Sequence, residues 1–448
     1  MMAKAEHPGK DSKILMAALY MVAFGLLLAI YGYYLAPFWG YMGFEANPDG
    51  GKIALSAGVI LLFVAATPAS ADARNFFLNV ILSIYLLPAM VVYSYADKPT
   101  SAALVIWMAL AVVYVVSAIP LPRVVLFRIE TEQLMWSMAI ATGCLLASYY
   151  ALGGLSNFNL DISRVYEFRR EAAEELPGVF GYLSSTFAKV VVPFGFAVSL
   201  LHRKYLFSLF FILSFILIFG FTSNKGVIFA PLVVIVTFFM TKIYNNYRSF
   251  LYIFILIILV GILSVPLMDY FGGDSIYAWY NTLLIRRALM LPLIIDFHYF
   301  DYFSENPYYY WSYSKLSLGM VSTIYDLAPP FQIGKIFFGS SDTSANTGFI
   351  GSGFAQAGVM GALLYSIGVG FILAILQSYG RYLGRPFIAS VVIDLFINLI
   401  NSSDFLTMFL THGLFLSLIL IGLTQPPAPR LMQSQRKPFA TAASSKRS

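Results

Sequence analysis

The chain has 448 residues, of which 59% are hydrophobic and only 11% are charged. Typical globular proteins contain about 25% charged residues, so this composition excludes a soluble protein built from domains of roughly 150 residues each. The formal net charge of +6 would suggest a nucleic-acid partner only if the positions of the charges gave no other explanation. The composition predicts an all-α polytopic integral membrane protein.

Twelve apolar runs are long enough to cross about 30 Å of hydrocarbon. They lie near residues 14–36, 53–68, 76–95, 101–119, 134–152, 179–200, 205–222, 226–240, 250–268, 350–376, 387–401 and 405–423. We therefore predict about 12 transmembrane helices within a membrane domain of residues 14–424. Residues 1–13 are expected to be cytoplasmic, and residues 425–448 form a predicted disordered cytoplasmic tail.

The distribution of charge predicts the orientation. With the N-terminus inside, cytoplasmic segments contain seventeen Lys and Arg residues and exported segments contain ten, with Lys189 inside a span. This bias follows the positive-inside rule and puts both termini in the cytoplasm. The basic charge thus reflects topology and not a nucleic-acid partner, for which no signature appears. Seven of the ten exported cations lie in two long loops, at about 153–178 and 269–349, so the functional site is expected there.

The first long loop contains LDISRVYEFRREAAEELPG. Asp161 is a plausible N-cap and Pro177-Gly178 a stop, so the pattern predicts a short amphipathic helix on the membrane surface. Its Arg and Glu residues form either ordinary surface pairs or a cradle in which guanidinium groups grip phosphate.

The second long loop carries Arg286-Arg287 and the aromatic stretch IIDFHYFDYFSENPYYYWSYSK. The rings suit either an interfacial aromatic belt or platforms on which sugar rings stack. His298 has Asp296 and Asp301 nearby in sequence and is either a catalytic base or a structural histidine. No paired-His spacing suggests a metal site.

Three further places have two interpretations each. Lys225, in the sequence SNKG, begins a span. It is either part of an anion site at a helix N-terminus or an interfacial lysine. Lys189 and Asp394 lie within spans and are expected to pair, structurally or functionally. The small residues of NTGFIGSGFAQAGVMG favour close helix packing, while its first three residues, Asn346–Gly348, are candidates for shaping a substrate entrance. Cys144 is expected to be an inert core thiol.

Four pieces together resemble the O-antigen polymerase (Wzy-type) family of oligosaccharide repeat-unit polymerases: RVYEFRRE, SNKG, the Arg286-Arg287 pair, and NTGFIGSGFAQAGVMG. The resemblance implies a GT-C-like, metal-independent glycosyltransferase of the bacterial inner membrane with a periplasmic active site and no cofactor. It would transfer a growing glycan from undecaprenyl pyrophosphate to the next undecaprenyl-pyrophosphate-linked repeat unit. Membrane lipids and a protein that regulates chain length are the expected partners.

The chemistry of that reaction assigns roles to residues, because a pyrophosphate leaving group needs cations at the membrane surface. The predicted pyrophosphate ligands are Arg164, Arg169, Arg170, Lys225, Arg286 and Arg287. Glu167 and His298 are candidates for the base that accepts the hydroxyl proton. The predicted sugar contacts are Tyr166, Tyr299, Tyr302, Tyr309 and Trp311.

Three other functions fit parts of the pattern. An O-antigen ligase would use the same donor and topology but transfer the finished glycan to lipid A core. A repeat-unit flippase or other transporter would have a similar number of spans, with more charge inside them and shorter loops. A polytopic acyltransferase is weakened by the lack of a His and carboxylate pair on a span.

Overall fold

The computed structural model describes residues 10–68, 70, 72–124, 127–155, 158–161, 178–223, 225–243, 248–314, 317 and 319–425. Within these residues the structure is helical, apart from one isolated parallel bridge between Ile129 and Thr424. The α-helices are α1 (Lys10–Ile30), α2 (Ala36–Trp39), α3 (Gly50–Ala66), α4 (Ala73–Ile81), α5 (Leu87–Tyr95), α6 (Thr100–Ser117), α7 (Thr131–Ala151), α8 (Gly178–Thr186), α9 (Val192–Leu201), α10 (Tyr205–Thr222), α11 (Lys225–Ile243), α12 (Arg248–Phe271), α13 (Ile276–Tyr280), α14 (Leu291–Glu305), α15 (Pro329–Phe338), α16 (Phe349–Leu383), α17 (Arg385–Asn401) and α18 (Leu414–Leu423).

Each of the twelve predicted apolar runs contains a helix. Among the described residues, nine helical runs are long and apolar enough to cross a membrane, from Lys13–Met42 to Phe349–Leu383. The other three predicted runs correspond to the shorter helices α3, α17 and α18. The chain is therefore an α-helical, multi-pass membrane protein.

Within the described residues, four helical runs contain a π-helical segment with a proline at the second position after its end. The turns are Tyr31–Leu35, Leu82–Leu86, Phe187–Val191 and Asn281–Met290, and the prolines are Pro37, Pro88, Pro193 and Pro292. A proline inside a helix donates no hydrogen bond and its ring crowds the carbonyl four residues earlier. A wider π-helical turn at that place lets the helix continue, so the sequence itself sets where the helices widen.

The chain divides into two compact units. Unit 1 comprises 1–121, 246–377 and 396–408, and unit 2 comprises 122–245, 378–395 and 409–448. In unit 1 the run Ala73–Tyr95 is the central helix, because 94% of its most apolar stretch is buried, against 33% for Lys13–Met42. In unit 2 the run Phe180–Leu201 is the most enclosed, and Gly195 lets α9 approach the ring of Phe211 on α10.

Helix α16 is broken near its start. Ala357 and Gly358 have non-helical backbone angles, and Gly358 has a positive φ of +60°, which glycine adopts without a steric penalty. The carbonyls of Ala355 and Gln356 accept hydrogen bonds from the amides of Tyr309 and Tyr310, both at 2.9 Å. The amides of Tyr309 and Tyr310 thus satisfy two of the carbonyls that lose their helical partners at the break.

The region predicted as a loop at 269–349 is more regular than expected. We predicted short helices there, whereas α13, a π-helical segment and α14 form one helical run from Ile276 to Glu305. Its residues 293–300 are all buried. Arginines, Asp296 and His298 interrupt the apolar pattern of this run, which is not among the nine candidate spans.

The expectation for Cys144 was also wrong. Its side chain is exposed on α7 and does not lie in the core. The apolar run around it predicts a helix but not which face of that helix packs inward. Of the first long loop, the predicted helix at 161–178 lies almost wholly outside the described residues.

Candidate functional site

The run Ile276–Glu305 in unit 1 carries three of the predicted site residues, Arg286, Arg287 and His298. It begins after Ser275, whose side chain accepts a hydrogen bond from the Ala278 amide at 3.4 Å. Pro292 leaves the carbonyl of Ala288 without its helical partner. That carbonyl instead accepts a hydrogen bond from Asn401 Nδ2 at 3.3 Å, so the widened segment is held against the end of α17.

Arg286 is buried without an acidic partner. The residue is 9% exposed, and its guanidinium carbon lies 3.6 Å from the centre of the Trp39 ring. Its Nη1 donates to the Met42 thioether at 3.2 Å, and its Nε has no acceptor among the residues that the structure describes. Among the described residues no carboxylate lies within 4 Å of it. Burial, with the neighbouring Arg287 charge, lowers the pKa of Arg286.

Other donors near this guanidinium also have no acceptor. The Tyr34 hydroxyl and Trp39 Nε1 are buried and make no hydrogen bond within the described structure. Tyr34 and Tyr41 act electrostatically on the guanidinium. Buried donors without acceptors carry a desolvation cost of about 1–3 kcal/mol each. Arg286, Tyr34 and Trp39 thus form a cluster of hydrogen-bond donors, the donor cluster. Because the cluster has few acceptors, it suits an anion, which would supply them.

The two adjacent arginines have different surroundings. Arg286 is buried, whereas Arg287, one position further along the helix, is exposed. Adjacent side chains on a helix point in different directions, and the π-helical segment preserves that divergence. One arginine of the pair therefore belongs to the donor cluster.

His298 is enclosed by aromatic rings. Its imidazole stacks on Phe337 of α15 with ring centres 4.0 Å apart, and Phe338 meets it edge-on. Nδ1 is buried and makes no hydrogen bond in the described structure. Burial, with a smaller contribution from Lys98, lowers the pKa of His298 to about 3. The imidazole is therefore neutral at physiological pH, and its buried Nδ1 has no hydrogen-bond partner among the described residues.

Gly43 joins His298 to the segment that carries Trp39 and Met42. Its φ is +93°, and an added Cβ would lie 3.1 Å from His298 Nε2. Glycine is required here both for the left-handed backbone and for the close approach. The donor cluster and the histidine are thus fixed to one turn of chain.

Asp296 is a buried carboxylate whose importance the sequence did not reveal. It accepts hydrogen bonds from the Tyr85 hydroxyl at 2.5 Å, from the Thr347 hydroxyl and from the Gly351 amide. Burial raises its pKa to about 7, although these hydrogen bonds act in the opposite direction. The carboxylate therefore ties the central helix of unit 1 to the start of α16.

The segment Asn346–Gly348, the predicted substrate entrance, is held by further contacts. The Tyr299 hydroxyl donates to the Ala345 carbonyl at 3.1 Å, and Gly348 lies directly against the carbonyl of Ile400. Thr347 and Gly348 are buried, whereas Asn346 is exposed. The segment is a well-held turn before a broken helix, with one amide side chain reaching outward.

The four predicted sugar contacts that the structure describes do not form one exposed platform. Tyr299 and Tyr309 are each 1% exposed, and Tyr309 donates to the Leu327 carbonyl at 2.7 Å. Tyr302 accepts a hydrogen bond from Gln332 at 2.9 Å, and Trp311 Nε1 donates to the Tyr365 hydroxyl at 2.9 Å. The exposed rings of this stretch are Tyr310 and Tyr313, which the sequence did not single out.

Several predicted ligands cannot be placed. Arg164, Tyr166, Glu167, Arg169 and Arg170 lie outside the described residues. The main chain of Lys225 begins α11 in unit 2, but its side chain lies outside the described part. The first-loop predictions therefore remain predictions from the sequence.

In unit 2 Lys189 lies close enough to Asp394 for the two charges to interact, as expected. The Lys189 ammonium acts electrostatically on the Asp394 carboxylate and on the His412 imidazole. His412 Nδ1 lies 3.3 Å from the Ser185 hydroxyl. The lysine therefore has acidic and polar neighbours, unlike Arg286.

No group of three or more His, Cys, Asp or Glu residues that could hold a metal ion occurs in the part of the chain that the structure describes. Comparison with known proteins gives no match to a family model, a curated protein or a solved structure.

Proposed function

We propose that this chain is a polymerase of O-antigen or related polysaccharide repeat units. It transfers the growing glycan from undecaprenyl pyrophosphate to the next undecaprenyl-pyrophosphate-linked unit. The observation that carries the proposal is Arg286, a buried guanidinium beside aromatic donors, with no carboxylate near it among the described residues. A diphosphate supplies the acceptors that this cluster lacks.

The proposal places the protein in the bacterial inner membrane with about twelve spans, of which α3, α17 and α18 are the short ones. Both termini are then cytoplasmic and the donor cluster periplasmic, in a GT-C-like arrangement. A protein that regulates chain length would be a partner, and no cofactor, metal or nucleic acid is required. The positive-inside distribution of Lys and Arg supports this orientation.

In the reaction, a hydroxyl oxygen of the acceptor sugar forms a bond to the anomeric carbon of the donor glycan. The bond from that carbon to the phosphate oxygen breaks, and undecaprenyl pyrophosphate leaves with the electron pair. Arg286 is proposed to bind the diphosphate and stabilise the charge that develops on it. The arginines of the first loop are proposed to bind the remaining phosphate oxygens, with the exposed Arg287 as a weaker contact.

The hydroxyl proton needs an acceptor, and the two candidates differ. Burial lowers the pKa of His298 to about 3, so its Nδ1 accepts a hydrogen bond but removes a proton poorly. We therefore assign orientation of the hydroxyl to His298 and removal of its proton to Glu167.

The direct test uses purified protein in lipid nanodiscs with undecaprenyl-pyrophosphate-linked repeat units of the source organism, and products separated on a gel. The native chain should produce a ladder of lengths. Arg286→Ala should reduce it by about 100-fold or more, the usual cost of losing one charge-stabilising donor. The matched control, Arg287→Ala, should lose less because that side chain is exposed. An undiminished ladder with Arg286→Ala at normal protein level would overturn the assignment.

Cells lacking the chain distinguish polymerase from ligase. Loss of a polymerase leaves a single repeat unit on lipid A core, whereas loss of a ligase leaves none. If no repeat unit remained on lipid A core, the chain would be assigned the ligase reaction, with Arg286 binding the same undecaprenyl pyrophosphate donor.

A further inference from the structure

The segment from Met320 to Ile336 in unit 1 exposes an unusual number of large apolar side chains. The exposed fractions are 79% for Met320, 39% for Val321, 61% for Ile324, 38% for Phe331 and 50% for Ile336. Exposed polar residues such as Ser322, Thr323 and Asp326 alternate with them. An aqueous loop would leave this apolar surface unsatisfied, while the centre of a bilayer would not accept the polar residues.

The last part of this segment lies in helix α15, which has one buried face and one exposed face. Ile333 and Gly334 are buried, and Phe337 packs on the His298 ring. Phe331, Lys335 and Ile336 are exposed, on the side of the helix opposite to those contacts. Apolar residues next to an exposed lysine are typical of a helix that lies in a membrane interface.

The segment is held firmly on unit 1, so its exposure does not come from a detached loop. The Pro330 carbonyl accepts a hydrogen bond from the Ala345 amide at 3.0 Å. Gln332 donates to the Tyr302 hydroxyl at 2.9 Å, and the Tyr325 ring stacks on Tyr309 at 4.6 Å. Its apolar side chains therefore point outward from a fixed scaffold.

The position of the segment identifies what covers it. The hydrogen bond to Ala345 ties α15 to the residues just before Phe349, where a membrane-spanning helix begins. After its break at Gly358 that helix continues for 25 residues to Leu383, about 38 Å at 1.5 Å per residue, which is enough to cross the hydrocarbon, so a bilayer surface lies near the break. We propose that the 320–336 segment lies in the interface of the membrane that the spans cross, with Phe331 and Ile336 among acyl chains and Lys335 at the phosphate headgroups.

This contact would give α15 two simultaneous roles. One face rests in the lipid leaflet while the other covers the His298 imidazole, so a lipid-linked molecule in that leaflet would meet the same helix that encloses the histidine. The inference depends on the chain being a membrane protein and not on the proposed reaction.

The test uses the single native cysteine. In a Cys144→Ser background, Phe331→Cys and Ile336→Cys are each spin-labelled in phospholipid nanodiscs, and collision with oxygen is compared with collision with a water-soluble nickel complex. The native chain labelled at Cys144, exposed on a span, is the lipid control. Asp342→Cys, in an exposed polar turn after α15, is the aqueous control.

Labels at 331 and 336 should collide more with oxygen than with nickel, as at Cys144, whereas the label at 342 should show the reverse. Nickel-dominated collisions at both helix positions would overturn the proposal. Protection from both reagents would overturn it too, because another part of this chain or a second protein would then cover the segment. Met320→Cys provides an independent position if a helix variant does not fold.

Discussion

Two cations in this protein lie in the same kind of local structure but have different surroundings. Lys189 in unit 2 and Arg286 in unit 1 both belong to π-helical turns that precede a proline. Lys189 acts on the Asp394 carboxylate and on His412. Arg286 instead contacts an indole ring and a thioether, with no carboxylate near it among the described residues.

The difference separates charges that hold the fold from charges that await a ligand. A buried ion pair largely compensates its own desolvation, but removing one partner leaves the other uncompensated. A buried cation without a pair retains its desolvation free-energy cost, which a bound anion reduces. Stability and ligand dependence should therefore respond in opposite ways at the two sites.

The largest effect is expected for Lys189→Met. It leaves the Asp394 carboxylate without its cation inside the membrane, and should cost about 3–5 kcal/mol in the free energy of unfolding. Thermal unfolding in detergent measures this loss. The matched double variant, Lys189→Met with Asp394→Leu, should recover most of it because no charge remains. Equal losses in the single and double variants would contradict the pairing.

A comparable effect, dependent on pH, is expected at Asp296. The pKa of its carboxyl is about 7 in the folded protein, against an ordinary value of 3.8. Between those values the folded state holds a proton that the unfolded state has lost, so stability should fall as pH rises from about 4 to 7. In Asp296→Asn this slope should be reduced, as equilibrium unfolding at several pH values would reveal. An unchanged slope would assign the pH dependence to other groups.

Much of the fold could be predicted from the sequence because apolar run length decides where helices form. Helices in all twelve predicted runs follow from that rule. The run Ile276–Glu305 could not be found in this way, since its polar residues are satisfied by distant partners such as Tyr85 and Asn401. No local pattern encodes those contacts.

The site was partly predictable. Arg286 and His298 stand out as polar residues in an aromatic stretch, but Tyr34, Tyr85 and Asp296 do not. One signal was available: Tyr34, Tyr85, Lys189 and Arg286 all lie three to six residues before a proline in an apolar helix. Because a proline there favours a wider turn, and such turns often occur at functional sites, this spacing identifies polar side chains that deserve testing.

The smallest change in stability is expected for Arg286→Met. Losing the contact with Trp39 should cost about 0.5–2 kcal/mol, but removing a buried, unpaired charge offsets much of that cost. The variant should instead lose its response to anions. Inorganic pyrophosphate at about 100 times its dissociation constant should stabilise the native chain by about 2.7 kcal/mol and leave Arg286→Met unchanged. Arg287→Met is the matched control and should keep most of the response, because Arg287 is exposed outside the donor cluster. Equal stabilisation of the native chain and Arg286→Met would place the anion elsewhere and remove the contrast between the two buried cations.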